Sequence, residues 1–418
     1  MTSTQTPASD LTSTEACRAS SALEDLLVVE LATGVAGPYC GKMLADFGAD
    51  VIKVELPEGD PSRAVGPFPA GDADAGALFL WLNTNKRGIT LDWRTRAGRR
   101  VLRELLSQAD VLVDSRPTPT LSRLRLGPKS LAKLNPRLIV TSVTPFGRTG
   151  PWRDRPATDL TISALGGMSY LNGAVGEEPL REPGPQAEVV AGIFGYIGTL
   201  AALADRAVTG QGQAVDLSAM EAMLSVLTPY VTEYSYQGTH SQRGPRSSAN
   251  LFRCQDGYVS MILTSQNAWL TLAKALGLGS TASESDVATG TSRYLNPDRV
   301  REVLEPALQG YTKLELFAML MDSRINVGMV QSISDLKADQ HLEARQYFAK
   351  VAGAGRGEVV YPGAPFRLAA CPSGIRRLAP RLGEHNDEVL SDLLGYSVDR
   401  RAALRCAGVA RGEGGSDR

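Results

Sequence analysis

LLVVELATGVAGPYCGKMLADFGADVIKVE, residues 26–55, predicts the start of a parallel α/β sheet. The apolar run at 26–31 is typical of a buried strand, and a glycine-containing turn at 34–38 follows it. A helical segment at about 40–47 then leads to a second apolar strand at 51–54. This order is a β-turn-α-β unit of a parallel sheet. The G-x-G-x-x-G spacing is absent, so the glycines and Glu55 do not predict a dinucleotide site.

Further strands and helices alternate along the chain, which predicts an α/β sheet with both faces covered. The predicted strands include 88–91, 111–113 and 138–141, with a helix at about 95–107. A polar stretch at 238–250 separates this region from a hairpin with Asp256 and Gly257 at its turn. The predicted organisation is a disordered tail (1–22), a large domain (23–236), a small domain (240–330), the C-terminal part of the large domain (340–410) and a frayed tail (411–418).

Composition restricts the classes of function. The 418 residues carry a net charge of −1 with a pI near 6.4, so neither a nucleic-acid partner nor a membrane-surface partner is predicted. Five scattered cysteines and three separated histidines favour neither a disulfide framework nor a metal site. No uninterrupted apolar run reaches the roughly 18 residues of a membrane span. We expect a cytoplasmic protein.

Several short motifs, in order, resemble the class III CoA-transferases, a family that includes formyl-CoA and carnitine CoA-transferases and the α-methylacyl-CoA racemases. The motifs are AGP (36–38), LADFGADVIKVE (44–55), GDPSR (59–63), NTNKR (83–87), LNPRLI (134–139), TGQGQ (209–213) and LGEHNDEVL (382–390). The resemblance extends from about residue 22 to 410. It implies a Rossmann-like large domain with a parallel sheet built from both chain ends, a smaller α+β domain and an interlocked homodimer.

The resemblance also implies the substrates and the residues that bind them. Acyl-CoA and a carboxylic acid would be the substrates, with no metal or redox cofactor. Amide and cationic donors on a short loop suit phosphate binding, and in the family this loop binds CoA. The predicted CoA-binding residues are Asn85, Lys86, Arg87, Arg123 and, as a third arginine, Arg63.

Glu188 occupies the place where the family has its catalytic aspartate, at the start of an apolar helix. A carboxylate can attack a thioester carbonyl and carry CoA as a covalent intermediate, and a glutamate can form the same anhydride. Its extra methylene displaces the carboxylate oxygens by about 1 Å, which is enough to change a rate substantially. An acid at this position also fits a purely structural role at a helix N-terminus.

Other positions depart from the family pattern. Thr33 and Val35 replace the histidine and glutamine of formyl-CoA transferases, and Thr158 replaces the histidine that racemases place before Asp159. Neither formyl-CoA specificity nor racemisation is therefore predicted. The segment SRPTP (115–119) lacks a glycine that the family has near its CoA channel.

Three hypotheses follow for the function. The first is a CoA-transferase that moves CoA from an acyl-CoA donor to a carboxylic acid through a glutamyl intermediate on Glu188. The second keeps the thioester site and uses Glu188 as a general base for an isomerisation. The third is a non-catalytic binding protein.

Overall fold

The computed structural model describes residues 21–68, 75–174, 176–239, 243, 249–263, 265–353 and 357–411. Residues 1–20 and 412–418 of the predicted tails lie outside this described part. The strands are β1 (Leu27–Glu30), β2 (Asp50–Glu55), β3 (Lys86–Thr90), β4 (Val111–Asp114), β5 (Ile139–Thr144), β6 (Ala214–Ser218), β7 (Ala249–Cys254), β8 (Gly257–Ile262), β9 (Val327–Met329), β10 (Phe348–Gly353) and β11 (Gly357–Pro362).

The helices alternate with these strands over most of the chain. They are α1 (Ala36–Asp46), α2 (Ala77–Leu82), α3 (Arg96–Gln108), α4 (Thr118–Leu124), α5 (Pro128–Leu134), α6 (Asp159–Leu165), α7 (Met168–Leu171), α8 (Gln186–Thr209), α9 (Ala219–Ser225), α10 (Thr228–Gln237), α11 (Gln266–Ala275), α12 (Gly290–Leu295), α13 (Pro297–Leu308), α14 (Lys313–Asp322), α15 (Ile333–Lys337), α16 (Gln340–Ala344), α17 (Asn386–Glu388) and α18 (Val398–Cys406). Short 3₁₀ turns lie at Pro61–Ala64 and Gly279–Ser283, and a π-helical turn lies at Val389–Leu393.

The chain divides into two compact units. The first comprises the residues up to Tyr170, Arg181–Thr239 and the residues from Tyr347 onward. The second comprises Leu171–Leu180 and His240–Gln346, so it includes a short segment that the sequence analysis assigned to the large domain. In the second unit β7, β8 and β9 form an antiparallel sheet over its own apolar core.

The first unit contains a six-stranded parallel sheet in the order β3-β2-β1-β4-β5-β6. This confirms the predicted α/β class. The chain begins in the middle of the sheet, moves outward to β3 and then returns to β4. The order therefore reverses between β1 and β4, and open sheets of this kind bind ligands at the carboxyl ends of the strands near such a reversal.

Both faces of the sheet are covered, which explains why its strands are apolar at consecutive positions. One face packs against α1 and α8 through Val28, Val51, Val111, Val113, Tyr196 and Ala202. The opposite face packs against α3, α5 and the C-terminal helices through Val29, Ile52, Leu112, Val101, Leu131, Leu390 and Leu404.

Residues from both ends of the chain build the first unit, but the parallel sheet inside it does not draw strands from both ends. Every strand of this sheet comes from residues 27–218. The C-terminal segment instead covers the edge strand β3, because its side chains bond to the outward-facing backbone groups of that strand. The Gly88 N–H donates to His385 Nδ1 at 3.1 Å, and the Thr90 N–H donates to Asn386 Oδ1 at 2.9 Å. Covering an edge in this way prevents it from pairing with another chain.

Helix α8 is long and apolar enough, by length and composition, to cross a membrane. Core helices of water-soluble proteins meet the same criterion, and α8 forms part of the core beneath the sheet. Gly192 and Gly195 allow this close packing: a Cβ on Gly192 would lie 2.7 Å from the carbonyl oxygen of Ala36, and a Cβ on Gly195 would lie 2.9 Å from Val143 Cγ2. The absence of a membrane partner stays a prediction.

A buried group of charges lies beneath the carboxyl edge of β1. Glu30 at the end of β1 is fully buried, and its carboxylate contacts Lys53 Nζ at 3.1 Å and Lys86 Nζ at 2.8 Å. Lys53 Nζ also contacts Asp60 Oδ2 at 2.8 Å, and Asp60 Oδ1 accepts a hydrogen bond from the Gly34 N–H. These contacts tie the loop that follows β1 to the interior of the sheet.

The two lysines respond differently to burial. Burial by itself would lower the pKa of Lys53, but Asp60 and Glu30 outweigh this effect and hold the pKa above its ordinary value. Burial lowers the pKa of Lys86 to about 8, because Glu30 offsets only part of the desolvation and Lys53 adds repulsion. Glu30 is thus the carboxylate that both ammonium groups share.

We predict that Glu30→Gln lowers the free energy of unfolding by about 3–5 kcal/mol, since removing one partner leaves a buried charge uncompensated. Adding Lys86→Met to this variant removes the ammonium group that has lost its partner. The double variant should therefore be more stable than Glu30→Gln alone, as measured by thermal unfolding at pH 7. A double variant no more stable than the single one would contradict this account of the cluster.

Candidate active site

Glu188 lies in the first turn of α8, beyond the carboxyl edge of the parallel sheet. The other end of α8 fixes this position. Arg206 near that end donates to the carbonyl oxygen of Asp110, which precedes β4, and the Gly212 N–H donates to the carbonyl oxygen of Pro136, which precedes β5. The C-terminus of α8 is therefore at the amino edge of the sheet, and its N-terminus is at the opposite, ligand-binding edge.

The carboxyl group of Glu188 is partly buried and close to a second acid. The Glu188 N–H donates to Asp159 Oδ1 at 3.1 Å. Asp159 is the first residue of α6, whose start is fixed by the capping box of Thr158 and Thr161. Asp159 is therefore a helix-start acid and also a hydrogen-bond partner of the first turn of α8.

Burial, and secondly repulsion from Asp159, raises the pKa of Glu188 to about 7. The positive end of the α8 dipole favours the ionised form, but it does not cancel these two effects. No described side chain forms a salt bridge with the Glu188 carboxylate. The pKa of Glu188 is thus shifted toward neutral pH, and strongly perturbed pKa values are often found at functional sites.

The loops after β1 and β4 meet beside this edge. The Thr33 N–H donates to Ser115 Oγ at 3.0 Å, which joins the two loops at the point where the strand order reverses. Arg116 is buried, stacks 3.8 Å from the centroid of the Trp93 ring and donates to the carbonyl oxygen of Leu31 at 2.9 Å. The altered 115–119 segment therefore places an arginine against the loop after β1.

The predicted CoA-binding loop at residues 85–87 is engaged inside the protein. The Asn85 side chain donates to Asp46 Oδ1 at 2.7 Å, and its backbone has a φ of 66°, which turns the chain into β3. Lys86 is fully buried against Glu30, because strand alternation directs it beneath α1. Arg87 forms ion pairs with Asp50 and Glu388.

Arg63 is also an internal residue. Its guanidinium forms two hydrogen bonds with the Glu55 carboxylate, at 2.8 and 2.7 Å, and lies 3.9 Å from the centroid of the Phe79 ring. A direct phosphate contact by Arg63 or Lys86 would require breaking these buried ion pairs. In this structure Arg63 and Lys86 are both held by internal carboxylates, and CoA binding by them stays a prediction.

Arg123 lies in a strongly basic cleft on the face of the sheet opposite α8. The cleft has a volume of about 960 Å³ and runs between α3, α4 and α5. We call it the arginine cleft and define it by Arg96, Arg99, Arg100, Arg103, Arg123 and Arg125. The sequence analysis found Arg123 alone. The spacing of the arginines at 96, 99, 100 and 103 could have predicted the other side of the cleft, because it places them on one face of a helix.

A metal centre has no obvious ligands in this structure. Within the described ranges, no group of three or more His, Cys, Asp or Glu side chains is placed to hold a metal ion.

Cys40 is buried, and burial raises the pKa of its thiol to about 12, so it is a core residue and not an activated nucleophile.

Several known proteins that are similar to this chain are named as CoA-transferases. A family model described as CoA-transferase family III matches residues 23–386. The chain is 32% identical over 396 residues to the succinyl-CoA–D-citramalate CoA-transferase of Chloroflexus aurantiacus, covering 93% of this chain and 98% of that protein. It is 36% identical over 377 residues to a subunit of the succinyl-CoA:(R)-benzylsuccinate CoA-transferase of Thauera aromatica, covering 86% and 91%.

Solved structures share the fold. A CAIB/BAIF family protein from Brucella suis superposes with a TM-score of 0.83 at 32% identity, covering 90% of this chain and all of that one. A protein from Mycobacterium tuberculosis superposes with a TM-score of 0.77 at 25% identity, covering 88% and 98%. The motifs, the fold and these likenesses together lead to one conclusion: the chain belongs to CoA-transferase family III.

Proposed function

We propose that this protein transfers CoA from an acyl-CoA donor to a carboxylic acid and that Glu188 carries CoA covalently. The supporting observation is the position of Glu188, a partly buried carboxylate without a described cationic partner at the ligand-binding edge of the sheet. A carboxylate neutralised by a salt bridge would be a poorer nucleophile. Asp159 would act as a positioning residue, since it accepts the Glu188 N–H.

The proposed reaction has two symmetrical halves. A Glu188 oxygen bonds to the thioester carbonyl carbon, the carbon–sulfur bond breaks, and CoA leaves as a thiolate. The thiolate attacks the glutamyl carbonyl of this mixed anhydride, which releases the donor acid and leaves CoA on Glu188 as a thioester. The acceptor carboxylate then displaces the thiolate to form a second anhydride. Attack of the thiolate on the acceptor carbonyl releases the new acyl-CoA and the free Glu188 carboxylate.

The names of the relatives support a choice of donor. The proteins from C. aurantiacus and T. aromatica are both named for transfer from succinyl-CoA. We propose succinyl-CoA as the donor and a carboxylic acid as the acceptor.

The thioester bond supplies the energy of transfer, so the proposed reaction requires no metal or redox cofactor. We expect the reaction to take place in the cytoplasm.

A second candidate function is general-base chemistry on an acyl-CoA. The observation in its favour is the Glu188 pKa of about 7, which suits proton abstraction near neutral pH. This reaction would leave no CoA on the enzyme and would require no acceptor acid. A non-catalytic binding protein, the third hypothesis, would likewise form no adduct.

We also propose that the protein is a homodimer. Helices α8 to α10 expose large apolar side chains, among them Ile193, Ile197, Leu224 and Val231. An apolar surface of this kind is typical of a protein interface. The outward face of α8 would then be covered by a second copy and not by lipid.

Incubation with succinyl-CoA should produce an enzyme with CoA attached to Glu188, because the second step leaves a stable thioester until an acceptor arrives. Intact-mass and peptide mass spectrometry would detect the adduct, and hydroxylamine should remove it. Glu188→Gln should form no adduct, while Glu182→Gln serves as the matched control. Turnover by the wild-type enzyme without any adduct would favour the general-base reaction.

Adduct formation should depend on pH with a midpoint near 7, because only ionised Glu188 attacks and its pKa is raised to about 7. The rate should rise roughly tenfold per pH unit below the midpoint and level off above it. In Asp159→Asn the midpoint should move to lower pH, because one source of repulsion is lost while the buried surroundings remain. Rapid-quench mass spectrometry would measure the rates. A rate that is flat from pH 5.5 to 8.5 is inconsistent with this assignment.

Sedimentation in aqueous buffer should show a dimer. Ile197→Glu combined with Val231→Glu should shift the equilibrium toward the monomer, since each change places a charge in an apolar contact. Leu314→Glu, at a more exposed apolar position in the second unit, is the control and should leave the dimer unchanged. A wild-type protein that stays monomeric at all concentrations, or that sediments only with detergent, would refute the dimer.

A further inference from the structure

Two arginines share one buried carboxylate at the carboxyl edge of the parallel sheet. Asp114, the last residue of β4, is fully buried. Its Oδ2 atom accepts a hydrogen bond from Arg148 Nη2, and its Oδ1 atom lies 3.6 Å from Nε of the buried Arg116. The two guanidinium groups carry one positive charge more than this carboxylate can balance. The excess charge lies where the strand order reverses, the place at which open α/β sheets bind ligands.

Other carboxylates near the pair are committed elsewhere. Asp60 attracts Arg116 at longer range, but its own ion pair is with Lys53 at 2.8 Å. Asp216 on β6 accepts the backbone N–H of Arg148 at 2.8 Å and not the guanidinium. Among the residues that the structure describes, no second carboxylate forms an ion pair with either arginine. Burial also raises the pKa of Asp114, and the two arginines offset only part of this effect.

Arg148 has a donor without an acceptor. Its Nη1 donates to the carbonyl oxygen of Arg116 and its Nη2 to Asp114. Its Nε is shielded from solvent and has no hydrogen-bond partner in the part of the chain that the structure describes. A buried donor left unsatisfied costs free energy. A carboxylate from a ligand matches this donor both in charge and in the planar shape of the guanidinium.

The turn after β5 fixes the direction of the Arg148 side chain. Gly147 has a left-handed φ of 80°, and the carbonyl oxygen of Pro145 accepts the Met220 N–H at 3.1 Å. Together with the bond from the Arg148 N–H to Asp216, these contacts hold the backbone at both ends of the turn. The guanidinium therefore crosses to the end of β4 already oriented, which lowers the entropy that a ligand contact would cost.

A series of contacts connects the arginine pair with the first turn of α8. Gly192 lies one turn after Glu188, and a Cβ on it would lie 2.7 Å from the carbonyl oxygen of Ala36. Ala36 ends the loop after β1, and in the same loop the Thr33 N–H donates to Ser115 Oγ. Ser115 stands between the aspartate and the first arginine of the pair. The nucleophile proposed above and the arginine pair therefore flank the same loop at the same edge of the sheet.

We propose that Arg148, held beside Arg116 by Asp114, binds the free carboxylate of a dicarboxylic acyl group and selects such groups over monocarboxylic groups of equal length. With its thioester carbonyl at Glu188, a succinyl chain has one charged group left over, and the unbalanced guanidinium supplies the counter-charge. A dicarboxylic acceptor uses the same contact, because donor acid and acceptor acid occupy the site in turn. Arg116 and Asp114 act as positioning residues. This inference rests on the proposed function, since it takes an acyl-CoA as the ligand.

The test compares succinyl-CoA with butyryl-CoA, in which a methyl group replaces the free carboxylate. Calorimetric titration of the full-length Glu188→Gln protein measures both affinities without turnover. Succinyl-CoA should bind about 10- to 100-fold more tightly, the range expected of a charge-assisted hydrogen bond. Adding Arg148→Met should weaken succinyl-CoA binding by that factor and leave butyryl-CoA binding unchanged, which also shows that the variant is folded. Arg148→Lys keeps the ion pair with Asp114 but loses the planar fork, so it should lose part of the preference.

Arg153→Met is the matched control, because Arg153 lies on the same loop but is exposed, and its ion pair is with the neighbouring Asp154. It should leave both affinities unchanged. If circular dichroism shows that Arg148→Met does not fold, Arg148→Lys decides the question.

Equal weakening of both thioesters would overturn the inference, because Arg148 would then support the fold or contact a part that the two ligands share. An unchanged preference, or no binding of either thioester, would overturn it as well. A wild-type protein that forms no CoA adduct but prefers succinyl-CoA through Arg148 would exclude the transferase proposal and leave this inference standing.

Discussion

The shared burial of Glu30 with Lys53 and Lys86 is the constraint on which the site depends. Three charged groups lie without solvent beneath the carboxyl edge of β1, and their desolvation is offset only because the ion pairs are close. The same cluster reaches Asp60 and, through it, the backbone of Gly34. The loop after β1 is therefore fixed by this ion pair and hydrogen bond as well as by apolar packing. Gly41 contributes space, because a Cβ there would lie 1.9 Å from a Glu30 oxygen.

That loop and α8 together define the edge at which Glu188 lies. Gly192 and Gly195 let α8 approach the start of α1 and the end of β5, so the first turn of α8 projects past the sheet. The acid in that turn is close to Asp159 and partly shielded from water. The pKa of Glu188 is therefore raised because the closely packed helix α8 begins at this point. The shift depends on the fold around the residue and not only on the glutamate.

Local pattern predicted much of this fold. The apolar runs at 26–31 and 51–54 and the glycine turn between them indicated β1, α1 and β2, and the alternation that follows indicated the α/β class. Long-range pairings were not predictable. Lys86 and Arg87 were predicted to bind CoA from a short loop, because the sequence does not reveal their partners. These partners, Glu30 and Glu388, are distant in sequence. The covering of β3 by the C-terminal segment was missed for the same reason.

The candidate site was predicted in part. A motif located Glu188, but its raised pKa depends on burial and on Asp159, neither of which sequence spacing reveals. Arg63 was predicted as a third CoA-binding arginine from the family resemblance, and the sequence did not reveal that it pairs with Glu55, the last residue of β2. The α3 arginines were detectable from helical spacing alone, since their arrangement is local.

The covering of β3 also bears on synthesis of the chain. His385 and Asn386, which bond to the open backbone groups of that strand, are synthesised after all six strands of the sheet. All six strands of the parallel sheet are made more than 160 residues earlier, so the nascent sheet is complete while one border is still bare. During that interval the backbone groups of β3 lack the partners that cover them in the folded protein, and an uncovered edge strand favours pairing with other chains.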